Sequence, residues 1–178
     1  MTGAVLLLVA AAVVFPTLLI AGCAHVLHTS RLARVLVTHG WSTRSSRPMA
    51  VLVAIAELGL GAAGTAGVVV GSVGPATSVV AVAAAVLLVA YAGDAGRVLR
   101  SGALVPCGCG PADHPVNQWV VIRAGVYACL ALTAVLSRPA LGALALVPMI
   151  TVLVAAVVIG LLLWLLPRTL AIPAGYSL

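Results

Sequence analysis

Two cysteines separated by one residue stand in Val105-Pro106-Cys107-Gly108-Cys109-Gly110-Pro111. Thiols at this spacing can close a small disulfide ring, and Gly108 permits backbone angles that another residue would resist. Pro106, Gly110 and Pro111 keep the segment out of a helix. A ring this small should be strained, and strained, exposed disulfides are labile and often catalytic. A nearby cation would favour the reactive thiolate; Arg100, Arg123 and His114 are the candidates. Three chemistries fit the spacing. One is thiol–disulfide exchange between Cys107 and Cys109. A second is soft-metal binding by Cys107, Cys109 and His114, which would suit copper(I) or zinc. The third is structural, two small residues in a glycine-rich turn.

The other ionisable residues gather at the same end of the chain's apolar runs. Glu57 and Arg123 each fall inside such a run, where charge is costly and usually functional. At about 1.5 Å per helical residue they lie roughly 13 Å and 9 Å from the surface that carries the cysteines. That similar depth suggests a buried ion pair between them, since either charge alone would be strongly destabilising. His25 and His28 lie one turn apart at the same end of the first run. Tyr91 and Asp94 close the third, and Asp113 and His114 follow the cysteines. The opposite end, at Gly71–Pro75 and Ser137–Pro139, offers no comparable group. Cys129 and Cys23 read as small hydrophobes packed among helices, and His39 as solvated in an arginine-rich loop.

The elements that must position these groups are membrane helices. The chain of 178 residues is 63% hydrophobic and 7% charged, with a mean hydropathy of +1.28. A soluble domain carries about 25% charged residues, so too little polar surface is present to cover a water-soluble globule. The length suggests one domain. A spanning helix needs about 20 mostly apolar residues. Five candidates appear: Ala4 to Leu27, Met49 to Val70 with Pro48 in its first turn, Ala76 to Ala92, Gln118 to Leu136, and Leu141 to Leu166. Pro148 should kink the last. The expected fold is an all-α helical bundle of five transmembrane spans. Residues 1–136 hold the first four spans and the 105–111 loop, and 137–178 add a C-terminal helix and short tail. Small residues in Gly59-Leu-Gly-Ala-Ala-Gly64 would let helix backbones approach closely. Between the first two spans, Leu32, Val35 and Leu36 beside Arg31 and Arg34 suit a short interfacial helix; an arginine-rich anchor loop fits equally.

All nine basic residues are arginine and only three residues are acidic, giving a net charge of +6. The arginines flank apolar runs, as membrane anchors do, so no nucleic-acid partner is expected. Arg31, Arg34, Arg44, Arg47, Arg97 and Arg100 share the cysteine side, and the positive-inside rule makes that side cytoplasmic.

With these residues in view, the chain resembles the methylamine utilisation protein MauE family, among the broader DoxX-like membrane proteins. The resemblance runs through Ala21-Gly22 and His25–Leu27, then Ala56-Glu57-Leu58-Gly59, then Arg97 and Gly102. It continues through Cys107-Gly108-Cys109 and on to Val116, Trp119 and Arg123, covering roughly residues 5 to 136. It implies a DoxX-like four-helix membrane core and a redox role beside a thioredoxin-like, MauD-type partner. In the family that role serves disulfide formation during maturation of the methylamine dehydrogenase small subunit. Carried over, it makes Cys107 and Cys109 the redox pair and Glu57 and Arg123 the buried polar support. The implied setting is a bacterial cell membrane. The client protein is left open, as is a quinone or another electron carrier as cofactor. Whether the chain is itself an oxidoreductase or an accessory to one is also open. Client oxidation would be expected outside the cytoplasm, where disulfides persist, whereas the arginines place Cys107 and Cys109 inside.

Overall fold

The computed structural model describes residues 2–70, 75–108, 115–135 and 146–169, all but a few of them helical. The helices are α1 (Thr2–Leu27), α2 (Thr29–Thr38), α3 (Thr43–Val70), α4 (Pro75–Arg100), α5 (Gln118–Val135) and α6 (Leu146–Thr169). Among the described residues, α1, α3, α4 and α5 are each long and apolar enough to cross a membrane, and α6 carries a shorter apolar stretch, Ile150–Leu165.

Local chemistry sets the helix ends. The Ser42 hydroxyl accepts from the N–H of Ser45 at 3.2 Å, an N-cap that starts α3 six residues before the expected Met49. Pro48 therefore sits in the second turn of α3. Asn117 Oδ1 accepts from the N–H groups of Trp119 (3.0 Å) and Val120 (3.2 Å), capping α5. Helix α4 runs two turns beyond Ala92 to Arg100, because Asp94 and Arg97 form an i, i+3 ion pair on its surface. The expected interfacial helix is α2, with Val35 buried, Leu32 and Leu36 half-buried, and Arg34 exposed.

The four long helices pack as a ring: α1 lies against α3, α3 against α4, α4 against α5, and α5 against α1. Helix α6 leans on α1 and α5 from outside the ring, and α2 lies across α3. The core joins Val13, Val14, Phe15 and Leu18 of α1 to alanines 81, 84 and 85 of α4 and to Tyr127, Ala128 and Ala131 of α5. The outward faces carry Leu52, Ile55, Val69, Val86 and Leu132, all exposed. This inside-out distribution suits lipid on the rim.

The tightest seam joins α1 to α3. A Cβ on Gly22 would overlap the backbone of Leu58, and one on Gly61 the backbone of Leu19. Gly64 makes room for the Phe15 ring in the same way, whereas nothing approaches Gly59. The small-residue run thus serves as a helix contact at Gly61 and Gly64 only.

Candidate functional site

The 105–108 segment is held at its neck and along its length. Val116 N–H donates to Val105 O at 2.9 Å, and Pro106 bridges to Pro115. Gly108 adopts φ +73°, a left-handed conformation that favours glycine. Its α-carbon faces Val35 of α2, where a Cβ would come within 2.9 Å of a methyl group. Cys107 packs against a cluster of Ala95 and Val98 of α4, Val120 of α5 and Val116 just before α5. It is half-buried and disulfide-bonded, while Cys23 and Cys129 are free thiols. Cys109, Asp113 and His114 lie outside the described residues.

Two histidines grip this segment on either side of Cys107. His25, near the end of α1, points Nδ1 at Glu57 Oε2 (2.5 Å) and Nε2 at the Gly108 carbonyl (3.5 Å). His39, which closes α2, points Nδ1 at Asp94 Oδ2 (2.6 Å) and Nε2 at the Pro106 carbonyl (3.0 Å). The two arrangements share one order: carboxylate, imidazole, carbonyl.

Each carboxylate has further donors. Tyr91 O–H donates to Glu57 Oε1 at 2.8 Å. Arg97 donates to Asp94 Oδ1 at 2.7 Å and also to the carbonyl of His39 at 2.9 Å. Trp41 Nε1–H reaches Asp94 Oδ1 at 3.4 Å. Glu57 is 2% exposed, so its charge depends on these partners.

Position along the bilayer misassigned one partnership. Glu57 and Arg123 share a depth, yet α3 and α5 stand diagonally across the ring. The flanking helices α1 and α4 supply the partners of Glu57, His25 and Tyr91. Arg123 is half-buried on α5, within electrostatic reach of the Tyr127 phenol one turn on. Of the cations expected beside the thiols, Arg100 is exposed with its Nε on the Gly96 carbonyl. Among the described residues, His25 and His39 contact the carbonyls on either side of Cys107. His39, expected in solvent, is 8% exposed. Cys23 and Cys129, expected among packed helices, are exposed on the helix surfaces, and His28 is exposed at the end of α1.

A signal for the His25–Glu57 contact was present in the sequence. Gly22 lies one turn before His25, and Gly61 one turn after Glu57. A glycine crossing so close to both residues brings them together. No comparable signal marks His39. As to a metal, no three His, Cys, Asp or Glu side chains among the described residues are grouped to hold one.

Comparison with known proteins gives one match. The family model described as methylamine utilisation protein MauE matches residues 2–137. No curated protein and no solved structure matches the chain.

Proposed function

The chain belongs to the methylamine utilisation protein MauE family, and from that premise we propose that Cys107 and Cys109 form a disulfide that exchanges with a thioredoxin-like partner. The exchange is balanced within the two proteins. A partner thiolate attacks one sulfur of the Cys107–Cys109 bond, which breaks as a mixed disulfide forms. The partner's second thiolate then attacks its own sulfur in that mixed disulfide and releases this chain. Two electrons pass from the partner's dithiol to Cys107 and Cys109. The two protons that the partner thiols lose are taken up by the cysteine thiolates. Run backwards, the same steps oxidise this chain. In turnover, a quinone or another electron carrier would reset the pair, and the work served is maturation of an exported protein.

The observation that carries this reading is the disulfide at Cys107, in a segment whose two flanking carbonyls each face a carboxylate-backed histidine. A merely structural turn has no need of such an environment. Glu57, through His25, and Arg123 on α5 are the polar support within the bundle. The setting is a bacterial cell membrane, with α1, α3, α4 and α5 as a DoxX-like core and α6 as a fifth crossing.

The test mixes the purified full chain carrying Cys109→Ala or Cys107→Ala, its remaining thiol reduced, with a thioredoxin-like protein in its disulfide form, so that attack on the partner's disulfide leaves a mixed disulfide. The wild-type chain, oxidised, is mixed with the same partner in its dithiol form. A reductant-sensitive one-to-one adduct with either variant supports the reading. Failure of both variants to form an adduct, beside a wild-type chain whose disulfide the same partner cannot reduce, contradicts it.

A further inference from the structure

Donor and acceptor accounting fixes where the protons sit in the two histidine pairs. A backbone carbonyl can only accept, so Nε2 of His25 and Nε2 of His39 both carry hydrogen. Asp94 accepts from Arg97 and Trp41 while its other oxygen faces His39. A carboxylate in that setting is ionised and can only accept, so His39 Nδ1 donates as well. Glu57 accepts from Tyr91 through one oxygen and faces His25 with the other; taken as the carboxylate, it makes His25 Nδ1 a donor as well. Both imidazoles then carry two N–H groups and a positive charge, each balanced by a carboxylate on the side away from the cysteine segment.

The two pairs therefore share a polarity. Their positive ends converge on the carbonyls of residues 106 and 108, the peptide groups on either side of Cys107. Their negative ends are drawn back toward α3 and α4, where Tyr91 and Arg97 contact the carboxylates. Arg123, at Tyr127, adds a further positive charge on the α5 side. A positive potential at a thiol favours the thiolate, and a disulfide whose reduced form is stabilised is a stronger oxidant.

We propose that His25 and His39 are positioning residues that stabilise the thiolate formed at Cys107, and so set how readily its disulfide is reduced, by presenting the positive ends of two histidine–carboxylate pairs to the flanking backbone. This rests on the exchange reading above and specifies what tunes that site. Neither histidine need touch sulfur. Each acts through the segment it grips, and the two arrive from different elements, α1 and the end of α2.

The test equilibrates the full-length chain in detergent with glutathione buffers of graded ratio and counts reduced cysteines by thiol mass-tagging. His39→Gln keeps an N–H donor for the Pro106 carbonyl but removes the charge. Asp94→Asn and Glu57→Gln remove the carboxylate that holds each imidazolium. Each variant is expected to shift the equilibrium toward the disulfide by roughly tenfold, about 30 mV for this two-electron couple. Asp94 is partly exposed (24%), so Asp94→Asn and His39→Gln decide the matter even if Glu57→Gln fails to fold. An unchanged equilibrium in those two variants, or a shift toward the reduced form, overturns the proposal. Failure of the exchange reading gives a different pattern: no adduct with the thioredoxin-like protein, whatever the glutathione equilibrium.

Discussion

His25 Nδ1 and Glu57 Oε2 lie 2.5 Å apart at the end of the seam where the backbones of α1 and α3 meet at Gly22 and Gly61. Gly22 and Gly61 let the two backbones touch at Leu58 and Leu19, both on one side of the pair. The contact seats a carboxylate inside the bundle and turns the far nitrogen of the imidazole toward Gly108. Helix packing and cysteine environment are thus one piece of architecture.

That architecture predicts which partner of Glu57 is coupled to it. Breaking a buried charge pair by truncating one member costs about 3–5 kcal/mol, so Glu57→Ala should destabilise by that order. In a double-mutant cycle His25 and Glu57 should show a coupling of about 0.5–3 kcal/mol, whereas Arg123 and Glu57 should be additive within about 0.5 kcal/mol. Unfolding in detergent measures both cycles. A larger coupling to Arg123 than to His25 would contradict the partnership described.

The seam makes a second prediction by contrast. Gly61→Ala and Gly22→Ala each push a methyl group into facing backbone and should cost about 1–3 kcal/mol or more. Gly59→Ala meets nothing within 4 Å and should change stability by no more than about 0.5 kcal/mol. Thermal unfolding of the three variants checks the ranking, and a Gly59→Ala as damaging as Gly61→Ala would sink it.

Gly108 offers a third. Its φ of +73° and the nearby Val35 methyl both resist a side chain. The left-handed conformation alone costs a non-glycine residue about 1–2 kcal/mol. Gly108→Ala should therefore lower stability and, by loosening the His25 grip on the segment, shift the Cys107 pair toward the disulfide. Adding Val35→Ala should restore part of the loss, the steric part. No recovery in the double variant would mean that α2 does not press on the segment.

The sequence carried much of this, and its gaps have physical causes. Hydropathy and run length located every long helix, because lipid demands unbroken apolar stretches. The Ser42 cap and the Asp94–Arg97 pair extended α3 and α4 past the apolar limits, since polar turns can continue a helix beyond the membrane. Glu57 stood out as an acid in an apolar run. Its partner is marked only indirectly, by Gly22 and Gly61 one turn from the two residues, because depth along a helix is readable from residue number while the order of helices around a ring is not. His39 was misread for a similar reason: its burial comes from α4 and the 105–108 segment folding back over it, a contact between residues far apart in sequence.

Sidedness yields a fourth prediction. Arg34, Arg44, Arg47, Arg97 and Arg100 are exposed at the cysteine end, and the positive-inside rule predicts that Cys107 faces the cytoplasm. A membrane-impermeant thiol reagent applied to intact, reductant-treated cells should leave Cys107 unlabelled until the membrane is opened. Labelling before permeabilisation would show that the arginines act as interfacial anchors on the outer face.

The most direct measurement of the central claim is a stoichiometric transfer. The oxidised full-length chain is mixed with a reduced thioredoxin-like protein, quenched with an alkylating reagent, and both proteins are analysed by mass. The account predicts that two alkylated cysteines, Cys107 and Cys109, appear in this chain for each disulfide formed in the partner, with Cys23 and Cys129 equally modified before and after. Partner oxidation without new thiols at Cys107 and Cys109, or no partner oxidation at all, would contradict it.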